Sequence, residues 1–190
     1  PTFVDIDGDG DMDAFVGTGG YGLTYFENTG TASTPNFATP QTNPFGLSGN
    51  WQSAPSFSDV DHDGDMDAVV GSGDDMRVFE NIGTPTAPHF IANQSQNIWP
   101  SDSSSDNLYA IKPTFVDINA DGILDVMVGS DQGDVKVVAP MMRNVNDFLP
   151  YVGDRAKPTF VDIDGDGDKD AFVGNAEGNI TYFRNTGSAS

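Results

Sequence analysis

With 190 residues, 29 acidic against 8 basic side chains and a formal charge of −21, the chain is a poor partner for nucleic acid or an anionic membrane surface. It has no cysteine, which excludes disulfides and thiolate metal sites and leaves the redox compartment unreadable. No apolar run approaches the ~20 residues needed to cross a bilayer, so a membrane-spanning protein is not expected.

The chain opens on Pro1-Thr2-Phe3-Val4, a run suited to a buried strand with proline at its start. The nine residues 5–13, DIDGDGDMD, follow directly. A second apolar run, 14–17, ends in glycine, a Gly-rich turn leads to a third at 23–27, and Asn28-Thr29-Gly30 marks a turn. A fourth strand is expected near 36–45.

The same order returns three times. The second copy has Pro55-Ser56-Phe57-Ser58, the loop DVDHDGDMD at 59–67, runs at 68–71 and 76–80, Asn81-Ile82-Gly83 and a fourth candidate at 89–99. The third has 113–116, the loop DINADGILD at 117–125, runs at 126–129 and 134–138, and a candidate at 145–152. It lacks the Asn-x-Gly turn and runs through Val137-Val138-Ala139-Pro140. The fourth has 158–161, the loop DIDGDGDKD at 162–170, runs at 171–174 and 179–184, and Asn185-Thr186-Gly187. The repeats are therefore 1–54, 55–112, 113–157 and 158–190, the last stopping before a fourth strand. Residues 101–107, rich in Ser and Asp, read as an inserted loop. No stretch shows helical periodicity. The chain begins inside a repeat and shows no signal peptide, which reads as a mature or truncated product.

The loops hold 18 of the 29 acidic residues. Positions 1, 5 and 9 are Asp in every copy, position 3 is Asp or Asn, and position 6 is Gly. Carboxylates at this density neither stay neutral at pH 7 nor sit together ionised without a cation. A hard cation taking six to eight oxygens, calcium, is the natural partner. In a tight loop the odd positions turn inward and the even ones outward. Position 7 is Asp11, Asp65, Ile123 or Asp168, and because Ile occurs there the expected ligand is its backbone carbonyl. An EF-hand would need Glu at position 12 and a following helix; Val16, Val70, Val128 and Val173 stand there instead, each in a β-type run. Nonapeptide β-helix repeats return about every nine residues, and these loops are 45 to 58 residues apart.

Four short strands in a repeat of roughly 45–50 residues mark a propeller blade. The expected fold is all-β: a single β-propeller, or a fragment of one, of four antiparallel repeats with the last blade incomplete. Face-to-face sheet packing accounts for continuous runs such as Ala-Phe-Val, and the aromatic residues are expected in the core.

The recurring Phe-x-Asp-x-(Asp/Asn)-x-Asp-Gly-x-x-Asp followed by Val-Gly resembles the FG-GAP/VCBS repeats of integrin-α-like β-propellers and of bacterial secreted and surface proteins. That resemblance covers the whole chain. It implies about four Ca²⁺ ions, one per repeat, between the first two strands of each blade. Carried over, the ligands are Asp5, Asp7, Asp9, Asp11 and Asp13; Asp59, Asp61, Asp63, Asp65 and Asp67; Asp117, Asn119, Asp121, Ile123 and Asp125; and Asp162, Asp164, Asp166, Asp168 and Asp170. Asn119 replaces a carboxylate, so the third loop is expected to hold its ion least tightly.

The sequence points away from catalysis. His62 lies in a loop facing solvent, His89 has no nucleophile at a suggestive spacing, and no Gly-rich phosphate loop opens a helix. Asn93-Gln94-Ser95 and Asn179-Ile180-Thr181 match a glycosylation pattern short enough to arise by chance. The expected function is a non-catalytic, calcium-stabilised module of an extracellular protein, secreted or at the cell surface, used for adhesion, display or assembly with a protein or glycan ligand. The alternative is the scaffold or carbohydrate-binding part of a larger secreted enzyme, with Trp51, Trp99 and Tyr109 as candidate sugar-stacking residues. The short last repeat and the near-identical first and last repeats predict a piece of a longer array or head-to-tail self-assembly.

Overall fold

The computed structural model describes residues 1–20, 22–73, 75–92, 110–119, 121–138 and 146–186. The expectations placed on Trp99, Tyr109, residues 101–107, Asn93-Gln94-Ser95, Ala139-Pro140 and residues 187–190 lie outside them. The chain divides into two compact units, Pro1–Asn97 and Ile98–Ser190. Among the described residues the structure is all-β apart from one 3-10 turn at Pro44–Gly46.

The first unit holds two four-stranded antiparallel sheets, each in chain order. One is β1 (Thr2–Val4), β2 (Asp13–Gly17), β3 (Leu23–Phe26) and β4 (Gln41–Thr42); the other is β5 (Ala54–Ser58), β6 (Asp67–Ser72), β7 (Asp75–Asn81) and β8 (Phe90–Ala92). The second unit holds the sheet β9 (Lys112–Val116), β10 (Asp125–Gly129), β11 (Val135–Val138) and β12 (Asn146–Leu149). It also holds a three-stranded sheet, β13 (Lys157–Val161), β14 (Asp170–Gly174) and β15 (Ile180–Phe183). The fourth strands fall within the predicted stretches, and among the described residues the last repeat has three.

Every acidic loop closes the same hairpin. Its ninth residue pairs with the residue just before its first: Val4 with Asp13, Ser58 with Asp67, Val116 with Asp125, Val161 with Asp170. Burial separates the two strands of that hairpin. The second strand, flanked on both sides, is largely buried, and β6 is buried throughout. The first strand lies at the sheet edge and is only half-buried, which corrects the expectation of a fully buried Phe-Val run. The prolines also sit one place later than expected. Pro55, Pro113 and Pro158 are second in their strands, where an edge has an unpaired side that needs no N–H.

Within each unit the two sheets pack face to face. In the first, Val4, Ile6, Phe15, Leu23 and Tyr25 of one sheet meet Ala68, Val70, Phe79 and Phe90 of the other. Phe57 lies on Phe15 with ring centroids 4.6 Å apart, and Phe15 on Tyr25 at 4.8 Å. In the second, Val116, Met127 and Val135 meet Val173, Phe160 and Phe183. Other aromatics are not core: Phe3, Phe37, Trp51, Tyr151 and Tyr182 are exposed.

The turn after the third strand is built around one buried asparagine. Asn28 Oδ1 accepts N–H groups from Gly30 (3.1 Å) and Asn36 (2.8 Å), and Asn81 Oδ1 accepts them from Gly83 (3.1 Å) and His89 (2.8 Å). Beyond it Thr31 pairs with Thr34, and Thr84 with Ala87. The signal for this device, Asn-x-Gly-Thr followed by Pro-x-Phe at 28–37 and again at 81–90, is present in the sequence. Asn81→Ala leaves two backbone donors unmet and is expected to cost about 2 kcal/mol, read from the urea midpoint. Ile82→Ala, on the exposed neighbouring side chain, should change stability by less than about 0.5 kcal/mol.

Candidate metal centres

Backbone donors shape each acidic loop before any ion is considered. The N–H of the position-6 glycine reaches back to Oδ2 of the position-1 aspartate: Gly10 to Asp5 (3.1 Å), Gly64 to Asp59 (3.1 Å), Gly122 to Asp117 (2.9 Å) and Gly167 to Asp162 (3.1 Å). The N–H of position 7 donates to Oδ1 of position 5, in Asp11 to Asp9, Asp65 to Asp63, Ile123 to Asp121 and Asp168 to Asp166. That curvature requires a left-handed glycine at position 6, with φ from 84° to 98°. It also requires positive φ at position 4, where Gly8 and Gly165 are joined by His62 at 64°. Histidine is among the few side chains that enter this region readily, so His62 has a conformational role that its residue type does not announce.

Aspartate oxygens of each of three loops also converge. One oxygen each from Asp5, Asp7 and Asp9 lie within 4.8 Å of one another, and the same holds for Asp59, Asp61 and Asp67 and for Asp162, Asp164 and Asp166. Among the described residues seven carboxylate oxygens are buried without a hydrogen-bond partner: Asp5 Oδ1, Asp7 Oδ1, Asp11 Oδ1, Asp13 Oδ2, Asp59 Oδ1, Asp65 Oδ1 and Asp168 Oδ1. Buried acceptors left bare are costly, and an all-oxygen set of this kind fits a hard divalent cation. The position-7 aspartates Asp11, Asp65 and Asp168 are buried, whereas Ile123 is exposed. Three loops thus turn a carboxylate inward beside the carbonyl expected there.

The rule that even positions face outward needs a correction at position 2. Ile6 leaves the loop but is buried in the first unit's core, and Ile118 is half-buried against the second's; Met12 and Ile163 follow the rule and are exposed.

Position 9 does more than face the loop. Asp13, Asp67 and Asp170 each accept, through Oδ1, the N–H of the asparagine at or just past the end of the third strand: Asn28 (2.7 Å), Asn81 (2.9 Å) and Asn185 (2.8 Å). Asp67 and Asp170 also take the position-2 N–H of Val60 (3.1 Å) and Ile163 (3.3 Å) through Oδ2. One carboxylate therefore ties the loop's start, the second strand and the third strand together.

The third and fourth loops relieve their charge differently. In the third, Asn119 Nδ2 donates to Asp121 Oδ2 at 3.0 Å, and no carboxylate triplet forms there among the described residues. In the fourth, Arg184 Nη2 lies 2.6 Å from Asp164 and 3.5 Å from Asp166. Its counterparts before the Asn-x-Gly turn in the first two repeats are Glu27 and Glu80.

The electrostatics follow from this crowding. Burial, and then Asp63, Asp67, Asp61 and Asp59, push Asp65 up to about 6. Burial likewise raises Asp11, Asp13, Asp67, Asp125 and Asp168. Asp166 moves down, chiefly through the Asp168 N–H and with help from Arg184. His62 and His89 are exposed and lie outside these clusters. Trp51, expected in the core, is exposed.

Comparison with known proteins bears on the loops directly. The model of the FG-GAP-like repeat matches residues 5–70 and again 59–128. No match was found among curated proteins. A solved structure of the Tc holotoxin pore of Photorhabdus luminescens aligns with 96% of this chain at 15% identity and a TM-score of 0.47, and this chain spans 9% of that chain's length.

The raised carboxylates set a pH dependence with a definite sign. Asp65 titrates near 6 in the fold against an ordinary value of 3.8, so the folded state binds that proton more tightly than the unfolded chain. Its favourable contribution is complete below the unfolded value and is lost as pH rises through about 6. Metal-stripped protein is therefore expected to melt at a higher temperature at about pH 5 than at about pH 7. With excess divalent cation, which needs ionised ligands, the order should reverse. A parallel fall on acidification in both preparations would contradict this.

Proposed function

Because the chain belongs to the FG-GAP-like repeat family, we propose that it is a non-catalytic, calcium-stabilised module of a secreted or cell-surface protein, its sheets arranged as propeller blades. The observation that carries this reading is the set of buried, partnerless carboxylate oxygens in loops already curved by their own backbone. Bound calcium supplies the positive charge that lets these carboxylates stay ionised side by side. Asp5, Asp7, Asp9, Asp11 and Asp13 would hold it in the first loop, with Asp59–Asp67 and Asp162–Asp170 at odd positions doing the same in the second and fourth. Asp117, Asn119, Asp121 and Asp125 with the Ile123 carbonyl form the weaker third set.

The chain's own residues do the rest. Position-6 glycines fix the curvature, position-9 aspartates anchor the loop to the third strand, and the sheet faces carry the packing. Each site holding calcium at ten times its Kd adds about 1.4 kcal/mol to the folded state. Extracellular modules bind in the ~0.1–1 mM range, which suits a protein working outside the cell. Adhesion, surface display or assembly, through a protein or glycan ligand, is the role such a rigid repeat surface serves.

Calorimetry tests the metal. Chelation should lower the melting temperature, and Ca²⁺ should restore it further than equal Mg²⁺, which demands strict octahedral geometry and keeps its waters. Equal rescue by the two ions would refute the assignment.

The loops should also rank by charge. During calcium withdrawal the amide resonances of Gly122 should shift before those of Gly10 and Gly64, and Asn119→Asp should delay that shift by adding the missing carboxylate. A third loop that empties last would show that charge does not set affinity here.

A further inference from the structure

Among the described residues, the fourth acidic loop alone has a cation of its own chain seated on its carboxylates. Arg184 Nη2 lies 2.6 Å from Asp164 Oδ2 and 3.5 Å from Asp166 Oδ2. Those two aspartates and Asp162 are the three whose oxygens converge in this loop. Asp168, only 6% exposed, keeps a further oxygen buried there without a hydrogen-bond partner. The guanidinium thus draws on the same carboxylates that a divalent ion needs.

Its place follows from the strand beside it. β15 ends one residue before Arg184, and the next residue, Asn185, is fixed through its N–H to Asp170 Oδ1 at 2.8 Å. Asn28 and Asn81 make the same bond to Asp13 and Asp67. The residue before each asparagine therefore leaves the backbone from an equivalent point beside its own loop. In the first two repeats it is Glu27 or Glu80, which offers the loop no positive charge, and the aligned residue of the third is Ala139. The fourth repeat alone puts a long cationic side chain there.

The oxygens left bare record the difference. Asp7 Oδ1 is buried without a partner in the first loop, whereas its counterpart Asp164 has Arg184. Four carboxylate oxygens are bare in the first loop and one in the fourth, so the fourth is the better satisfied without an ion. Lys169 supplies a contrast within the same loop. It is exposed and carries the same charge, yet the ion pairs of Asp164 and Asp166 run to Arg184 and not to it.

We propose that Arg184 is a tethered rival of calcium at the fourth loop, seated on Asp164 and Asp166 while the loop is empty and displaced when an ion takes their oxygens. The apparent Kd is then raised by the inverse of the fraction of loops from which the side chain is away. An exposed ion pair of this kind weakens the site about threefold to fivefold. The inference rests on the calcium reading above and deepens it. Together with the amide of Asn119 in the third loop, it puts both weakened loops in the unit Ile98–Ser190. The first unit fills at low calcium, and the second responds as calcium rises.

The test is a CaCl₂ titration of the metal-stripped full chain, followed by the amide resonances of Gly10, Gly64 and Gly167 and by the Nε–H of Arg184. In the wild type the Arg184 signal should move with the same midpoint as Gly167. Arg184→Gln should tighten the fourth loop by the factor given above and leave the Gly10 and Gly64 midpoints in place. It should also lower the melting temperature of the stripped protein, because the empty loop loses its counter-charge. Lys169→Gln removes an equal charge from the same loop and should give less than half that gain, since it acts only through screened solvent. Equal gains from the two variants would overturn the proposal, a remote charge then being enough. So would an Arg184 signal that stays still while Gly167 shifts, or a stripped Arg184→Gln protein that melts no lower than wild type. If Gly10 and Gly64 also ignore calcium, the calcium reading has failed and this inference falls with it. If they respond and Arg184 is indifferent, this inference alone has failed.

Discussion

The structure depends on keeping like charges together at the end of a hairpin. Each repeat turns from its first strand to its second through a loop that gathers up to five aspartates, and the pairing of position 9 with the residue before position 1 leaves them no room to separate. Backbone N–H groups take some of the oxygens and bury others bare. Strand register and loop charge are therefore one problem: a loop that relaxed its repulsion by opening would break the ladder beside it.

Much of this was legible in the sequence because the repeats are so alike. Four copies of one pattern located the loops, the strands on either side and the short last sheet, each position being read against its three counterparts. What escaped was set by neighbours that a single repeat does not contain. The half-buried first strands reflect their place at a sheet edge, and the burial of Ile6 reflects the second sheet packed over it. Trp51 is large and apolar, which predicts burial, but no packed face receives it. His62 hides its role because nothing in its chemistry distinguishes a left-handed backbone from a solvent-facing side chain.

The four loops are not copies in their chemistry. The first two keep a full set of aspartates and have Glu27 and Glu80 at the position of Arg184, the third trades a carboxylate for an amide, and the fourth lays Arg184 across two of its members. One fold thus tolerates three levels of local charge while the backbone pattern, from position 6 to position 1 and from position 7 to position 5, stays the same. Curvature is fixed by the backbone, and charge is free to vary on it.

The bond from the position-9 aspartate to the asparagine after the third strand joins residues only 15 apart in the first and last repeats and 14 apart in the second. Contacts this local form quickly, because little chain must be ordered to close them. As the chain leaves the ribosome, a repeat can lock its first three strands once some thirty residues have emerged. Its broad face then waits, exposed, for the next repeat to be synthesised. Within each unit the order of translation is thereby also an order of assembly, in which the first finished sheet serves as the template against which the second condenses.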